Sequence, residues 1–189
     1  KEEPPPPSPG GDILFLGRLS PEKGVDHLLR AWKLLPPTAR RLTIAGDGPE
    51  FPKLRALAKE LNLSNVDFLG FVSQSEQRKV WSRTAFSVIP SVWSEPFPLT
   101  FLESWSNGRT FVANRLGAMA EVVQENVDGL LSEPFSPESL AQQIQRMMDD
   151  PDRCAAMGRA GYRRIREEFD QAQWLSRMNH VLETSLSLR

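Results

Sequence analysis

Trp93-Ser94-Glu95-Pro96-Phe97-Pro98-Leu99-Thr100-Phe101-Leu102-Glu103-Ser104 is the stretch whose reading decides the fold. It follows an apolar run, Ala85-Phe86-Ser87-Val88-Ile89-Pro90, that reads as a strand, and Leu99 to Trp105 reads as a helix. Pro98 fits the first helical position, where its missing N–H has no intrahelical partner to lose. Two carboxylates are thereby set at a strand-to-helix junction, Glu95 in the loop and Glu103 about a turn inside the helix. Open α/β sheets bind ligands beyond the carboxyl ends of their strands, and a helix start there offers unpaired amides to an anion. The amides of Leu99, Thr100 and Phe101 are expected to face phosphate. The carboxylates, which only accept hydrogen bonds when ionised, are expected to face hydroxyls. Phosphate plus polyhydroxyl describes a nucleotide sugar. The plainer reading is a helix with one exposed and one capping glutamate.

Upstream, Asp12-Ile13-Leu14-Phe15-Leu16 reads as a buried parallel strand. Gly17 follows where the chain must turn, and Arg18 and Lys23 stand in the loop before a helix over about 25–35. Two cations at a strand's carboxyl end suit a diphosphate, Arg by its planar fork and Lys as a point charge. The alternative is a pair of solvated surface cations. Leu42 to Ala45 is a second strand, and Gly46-Asp47-Gly48 is a tight turn before a helix over about 50–61. No Gly-Lys-Ser/Thr follows, so this is not a Walker loop. Val66 to Leu69 is a third strand, and Ser73-Gln74-Ser75-Glu76 is a capping box opening a helix to about Arg83.

Downstream, Phe111-Val112-Ala113 is a fifth strand, and Gly117 leads into a short helix ending near Gln124. Gly129-Leu130-Leu131 is a last strand. Ser136 caps a helix to about Met148 and Asp150 another to about Phe169. From Asp170, apolar residues at 174, 175, 178, 181, 182 and 186 recur near a 3.6 spacing and predict a final amphipathic helix. Strands thus alternate with helices about six times. The expected fold class is α/β, a Rossmann-like, mostly parallel sheet with helices on both faces. Three segments are expected: a proline-rich spacer at 1–11, a ligand-binding domain at 12–169 and a C-terminal helix at 170–189.

Composition narrows the function. The chain has 189 residues, net charge −1 and no global basic bias, which gives nucleic acid little support as a partner. Cys154 is the only cysteine, so neither an intramolecular disulfide nor a cysteine metal cluster can form. His27 and His180 are the only histidines and lie far apart, which predicts no metal site. No apolar run approaches a membrane span. A cytoplasmic location is expected. The arginines at 153, 159, 163, 164 and 166 leave peripheral contact with an acidic membrane open beside the reading of a solvated helix face. The first residue is not Met, as in a piece of a longer chain.

Glu-x7-Glu, set as Glu95-Pro96-Phe97 through Leu102-Glu103, resembles the signature of the retaining GT-B glycosyltransferases related to family GT4. Gly17-Arg18-Leu19-Ser20-Pro21-Glu22-Lys23-Gly24 resembles that family's donor-phosphate segment, Ala45 to Glu50 its second βα turn, Phe68-Leu69-Gly70-Phe71-Val72 its base-binding turn and Asn126 to Leu131 its last strand. Five segments occur in family order. The resemblance implies that Arg18 and Lys23 contact the donor's phosphates, that Phe71 and Val72 meet the base through their backbone, that Glu103 holds the ribose and that Glu95 holds the transferred sugar. Gly17, Phe97, Leu99 and Thr100 complete the implied donor site. Leaving-group departure would need no metal or other cofactor, and a UDP-sugar is the expected donor. The acceptor, a glycan, lipid or small molecule, would be bound by an N-terminal half that this stretch does not contain, so the piece is expected to bind donor without transferring sugar alone. Two departures stand out: Ala118 and Ala120 replace residues of the family's Gly-Gly-x-Pro-Glu pattern, although Glu121 matches, and Pro98 stands where Gly is usual. A glycosidase-type carboxylate pair, a nucleotide-sugar epimerase and a non-catalytic scaffold are the rival readings.

Overall fold

The computed structural model describes residues 10–169 and positions 175, 178, 179, 183 and 184; the proline run and most of the expected final helix lie outside the described residues. Six strands form one sheet: β1 (Asp12–Leu16), β2 (Leu42–Ala45), β3 (Val66–Gly70), β4 (Thr84–Ile89), β5 (Phe111–Asn114) and β6 (Leu130–Ser132). Their spatial order is β3-β2-β1-β4-β5-β6, and every neighbouring pair is parallel. Seven helices connect or flank them among the described residues: α1 (Val25–Leu34), α2 (Phe51–Glu60), α3 (Gln74–Arg83), α4 (Leu99–Ser106), α5 (Ala118–Val122), α6 (Pro137–Asp149) and α7 (Pro151–Glu167).

The strands read as continuous apolar runs because the sheet is covered on both faces. Alternation along each strand assigns the faces. In β1, Ile13 and Phe15 join a core with α1, α2 and α6, while Leu14 points the other way to Val80 and Trp81 of α3. In β5, Val112 joins the first core, while Phe111 and Ala113 join Phe101 and Trp105 of α4 and Met119 of α5. Edge strand β3 has no residue in the buried class, whereas the opposite edge strand, β6, is buried throughout. Helix α7 reaches both faces: Cys154 and Met157 pack in the first core and Ile165 against the second. Gly161 makes that crossing possible, since a Cβ there would lie 2.0 Å from the Trp105 ring.

The expected caps are present. The Ser73 amide donates to the Glu76 carboxylate at 2.9 Å, the Ser136 hydroxyl accepts from the Ser139 amide at 3.1 Å, and the Asp150 carboxylate accepts from the Arg153 amide at 2.9 Å. Pro98 departs from expectation. It is the cap residue before α4, with extended backbone (φ −71°, ψ 117°), and Leu99 is the first helical residue. In the arginine-rich C-terminal region, Arg153, Arg159, Arg163 and Arg166 are exposed as on a solvated face, and Arg164 is the exception. Arg164 is paired with the fully buried carboxylate of Asp128 and with Glu168, and its guanidinium stacks 5.2 Å from Trp105. No helix among the described residues is long and apolar enough to cross a membrane.

Cys154, on the buried side of α7, is 3% exposed, and burial pushes its thiol up to about 12. The thiolate is the reactive form. Modification by a thiol reagent at pH 8 is therefore expected to run at least about 100-fold slower in the folded chain than in urea. Equal rates would place the thiol at the surface.

Candidate functional site

The strand order reverses between β1 and β4, and the crevice of such a sheet opens at that switch point. The loops that leave these two strands carry the charged residues. After β1, the Gly17 amide donates to Ala45 O at 3.0 Å, and the Gly46 amide donates to Gly70 O at 2.8 Å. The ends of β1, β2 and β3 are thus stitched together, and a Cβ on Gly46 would lie 1.8 Å from Gly17 O. The chain then makes one 3-10 turn, Pro21–Lys23, closed by Gly24 with φ +64°. That turn is sewn to the segment after β4: the Val92 amide donates to Glu22 O at 2.9 Å.

The outcome is an ion pair between residues 72 positions apart. Lys23 Nζ lies 2.9 Å from each carboxylate oxygen of Glu95. Glu95 is 8% exposed, and the Ser91 hydroxyl also donates to it. An ammonium has three donors and a carboxylate about four acceptor sites. Two donors of Lys23 are engaged and one remains. Three acceptor sites of Glu95 are engaged and about one remains. The pair is therefore complementary within itself and still offers one cationic donor and one anionic acceptor to a ligand.

Beside the pair lies a cavity of about 370 Å³. Gly17, Arg18, Phe71, Val72, Leu99, Thr100 and Glu103 all line it, so these seven sequence-derived candidates come together. Lys23 and Glu95 line a small recess that shares Gly17 and Thr100 with the cavity. Thr100 and Leu99 are the first residues of α4, whose opening amides have no intrahelical partner. Glu103 sits on the same helix, half-buried, and burial raises its carboxyl above the usual carboxylate range. Glu103 also borders a broader groove of about 760 Å³ between α3 and α4.

Phe97 goes elsewhere. Its ring packs edge-on against Phe101 at 5.0 Å and near Phe169 at 6.0 Å, on the aromatic core beneath α4. Phe97 thus does not line the cavity, while Pro98 lines the small recess with Lys23 and Glu95. Trp93 is 50% exposed. Ala118 is accommodated without narrowing the crevice, because its side chain packs against the aromatic core and its amide donates to Glu95 O at 3.1 Å. The close approach falls on Gly117 instead, where a Cβ would lie 2.6 Å from Glu95 O. Glu121 is exposed in the first turn of α5. Sequence reading missed Ser91 and Gln77. Ser91 lies two residues past β4, and Gln77, in the first turns of α3, lines both the cavity and the groove. Only the position of each just after a strand or a βα turn signals it.

An all-parallel sheet with a polar crevice at its switch point defines a Rossmann-like domain, the architecture of each half of a GT-B glycosyltransferase. The family model for glycosyl transferases group 1 matches residues 1–164, and the chain belongs to that family. It is 32% identical over 186 residues to the D-inositol 3-phosphate glycosyltransferase of Thermobispora bispora, covering 92% of this chain and 43% of that protein. It is 36% identical over 140 residues to an uncharacterized glycosyltransferase of Methanocaldococcus jannaschii, covering 73% of this chain and 36% of that protein. Among solved structures, sucrose-phosphate synthase from Thermosynechococcus elongatus superposes with TM-score 0.83 at 26% identity, over 96% of this chain and 47% of that one. Anabaena HepE in complex with UDP has the same fold, with TM-score 0.84 at 24% identity over 93% of this chain and 49% of that one. The chain thus spans about half the length of these structures and less of the two curated relatives.

Proposed function

We propose that this chain is the donor-binding half of a retaining glycosyltransferase, which moves a hexosyl group from a nucleoside diphosphate sugar, a UDP-sugar first, to an acceptor held mainly by a separate N-terminal half. The observation that carries this reading is the Lys23–Glu95 pair at the rim of a cavity ringed by Arg18, the start of α4 and Glu103. Three kinds of recognition lie in a row. The spare Lys23 donor, Arg18 and the α4 amides suit a diphosphate. Glu103 suits vicinal ribose hydroxyls. The remaining Glu95 acceptor suits a sugar hydroxyl. Charge growing on the departing diphosphate is met by fixed donors and cations, so departure needs no metal ion. The glycosidase rival fits poorly, because both oxygens of Glu95 are already engaged by Lys23. The acceptor, a glycan, lipid or small molecule, would reach the donor from the opposite half, and the isolated chain would bind donor without transferring sugar.

The test is transfer from a UDP-sugar by the longer protein in excess EDTA, with product stereochemistry read by NMR. Retained configuration, lost on Glu95→Ala, is the expected result. Epimerised donor without acceptor would favour the epimerase reading, and no reaction with any donor would favour a scaffold.

Glu103 gives this reading a pH signature. Its hydroxyl-accepting form is the ionised one, and burial raises its pKa. The affinity that it contributes is present above that raised pKa and lost as pH falls through it. The loss begins at a higher pH than for an ordinary glutamate. For stability the sign is opposite: the folded state holds this proton more tightly than the unfolded chain, so Glu103 favours unfolding as pH rises. Glu103→Gln is therefore expected to bind UDP more weakly at neutral pH, to lose the acid-dependent part of the affinity and to unfold no more readily than the parent. Calorimetry at several pH values and urea unfolding check this. An unchanged pH profile in the variant would remove Glu103 from the site.

A further inference from the structure

The Lys23–Glu95 pair rests on hydrogen bonds that run along the carboxyl edge of the sheet from β6 to the loop of β1. At the end of β6, the Ser132 hydroxyl donates to Asn114 Oδ1 at 2.8 Å. At the end of β5, Asn114 Nδ2 donates to the carbonyls of Pro90 and Ser91 at 3.0 and 3.1 Å. Past the end of β4, the Ser91 hydroxyl donates to Glu95, which accepts from Lys23. Ser132, Asn114, Ser91 and Glu95 are each less than a tenth exposed.

Pro90 O is the shared reference point. It accepts from Asn114 on one side, and on the other it receives Gly24, whose added Cβ would lie 2.1 Å away. Gly24 closes the turn that carries Lys23. The two members of the ion pair therefore reach the crevice from different strands but are both set against the same carbonyl. Buried polar side chains are costly unless partnered, and Asn114 spends both its donated bonds on this one loop.

We propose that Asn114 is a positioning residue of the donor site: it fixes the Pro90-Ser91 backbone, and through it the Ser91 hydroxyl and the spacing of Lys23 against Glu95. Asn114 does not line the cavity, and it acts on ligand only through that pair. This rests on the donor-site reading above for its effect on ligand, and on geometry alone for its effect on the pair.

The test is a double-mutant cycle read by calorimetric titration with UDP. Asn114→Ala is expected to weaken UDP binding about tenfold in the parent and less than about twofold in the Lys23→Met background, because the group through which it acts is already gone. An equal loss in both backgrounds would overturn the proposal and leave Asn114 a general structural residue. If Asn114→Ala does not fold, Ser91→Ala replaces it, paired with Glu95→Gln and titrated with UDP-glucose. A several-fold loss that vanishes in the Glu95→Gln background supports the relay, and an undiminished loss overturns it. If the parent chain binds neither probe, the donor-site reading has failed, and the relay is read by urea unfolding of Ser91→Ala, Glu95→Gln and their combination. A combined shift smaller than the sum of the single shifts supports the relay; an additive shift overturns it.

Discussion

Lys23→Met is expected to weaken UDP binding about 10- to 150-fold, with a modest loss of fold stability. A hydrogen bond to a charged group contributes about 1.5–3 kcal/mol, and the spare Lys23 donor is the one that the donor-site reading assigns to the diphosphate. The change also leaves the Glu95 carboxylate, 10% exposed, without its cation. Breaking a fully buried pair costs about 3–5 kcal/mol. Lys23, however, keeps 28% of its side chain exposed, so water reaches the site and a cost of about 1–2 kcal/mol is expected by discounting that range. Adding Glu95→Gln to Lys23→Met should recover part of this stability, because the orphaned charge is removed, and should recover none of the UDP affinity. Calorimetry and urea unfolding on the same preparations separate the two effects. Unchanged UDP affinity in Lys23→Met would take the lysine out of the site.

Gly24→Ala is expected to cost about 3 kcal/mol and to disorganise the site. The residue has φ +64°, where an L side chain is strained by about 1–2 kcal/mol. A Cβ would also lie 2.1 Å from Pro90 O and 3.0 Å from Val92 Cγ1. The first of these is backbone and cannot swing aside, so the loops after β1 and β4 must separate, at a typical overpacking cost of about 1–3 kcal/mol. Gly70→Ala is the control. Its φ is +69°, but nothing lies within 4 Å of the added carbon. It should show the backbone strain alone, about 1–2 kcal/mol. Because separation of the loops parts Lys23 from Glu95, Gly24→Ala should also lower UDP affinity at a temperature where it is folded. Equal urea midpoints for the two variants would mean that the loops are not held in contact.

The sheet was largely legible in the sequence because each strand is short, apolar and bounded by glycine, proline or a cap. Asp12 to Leu16 and Leu42 to Ala45 form strands over the predicted residues, and the Ser73–Glu76 capping box opens α3 as expected. Such signals are local, and local signals place helix and strand ends. Of the seven cavity residues, Arg18, Leu99, Thr100 and Glu103 are legible from their place at strand ends and a helix start, which a parallel sheet gathers on one edge, whereas Gly17, Phe71 and Val72 rest on the family resemblance.

What escaped was long-range. Nothing near Lys23 in the chain announces that both oxygens of Glu95 will accept its protons; that follows from the adjacency of β1 and β4 at the switch point. Gly24 looks like any loop glycine until Pro90 O is placed against it. Phe97 sits two residues from Glu95, yet it does not line the cavity, and its 43% exposed side chain lies against the rings of Phe101 and Phe169. Pro98 was placed one residue too far into the helix, because proline before the first turn and proline within it carry the same local signal. Ser91 and Asn114 have no motif; beyond their places at strand ends, burial together with their hydrogen bonds marks them.

The central claim is that the crevice between the β1 and β4 loops holds a nucleoside diphosphate. Calorimetric titration of this chain with UDP, GDP and ADP, without added metal, tests it most directly. The account predicts saturable one-to-one binding of one diphosphate, UDP first, weakened at least tenfold by removing the charge of Lys23 or Arg18. A cooperatively folded sample that binds none of the three at millimolar concentration would contradict it.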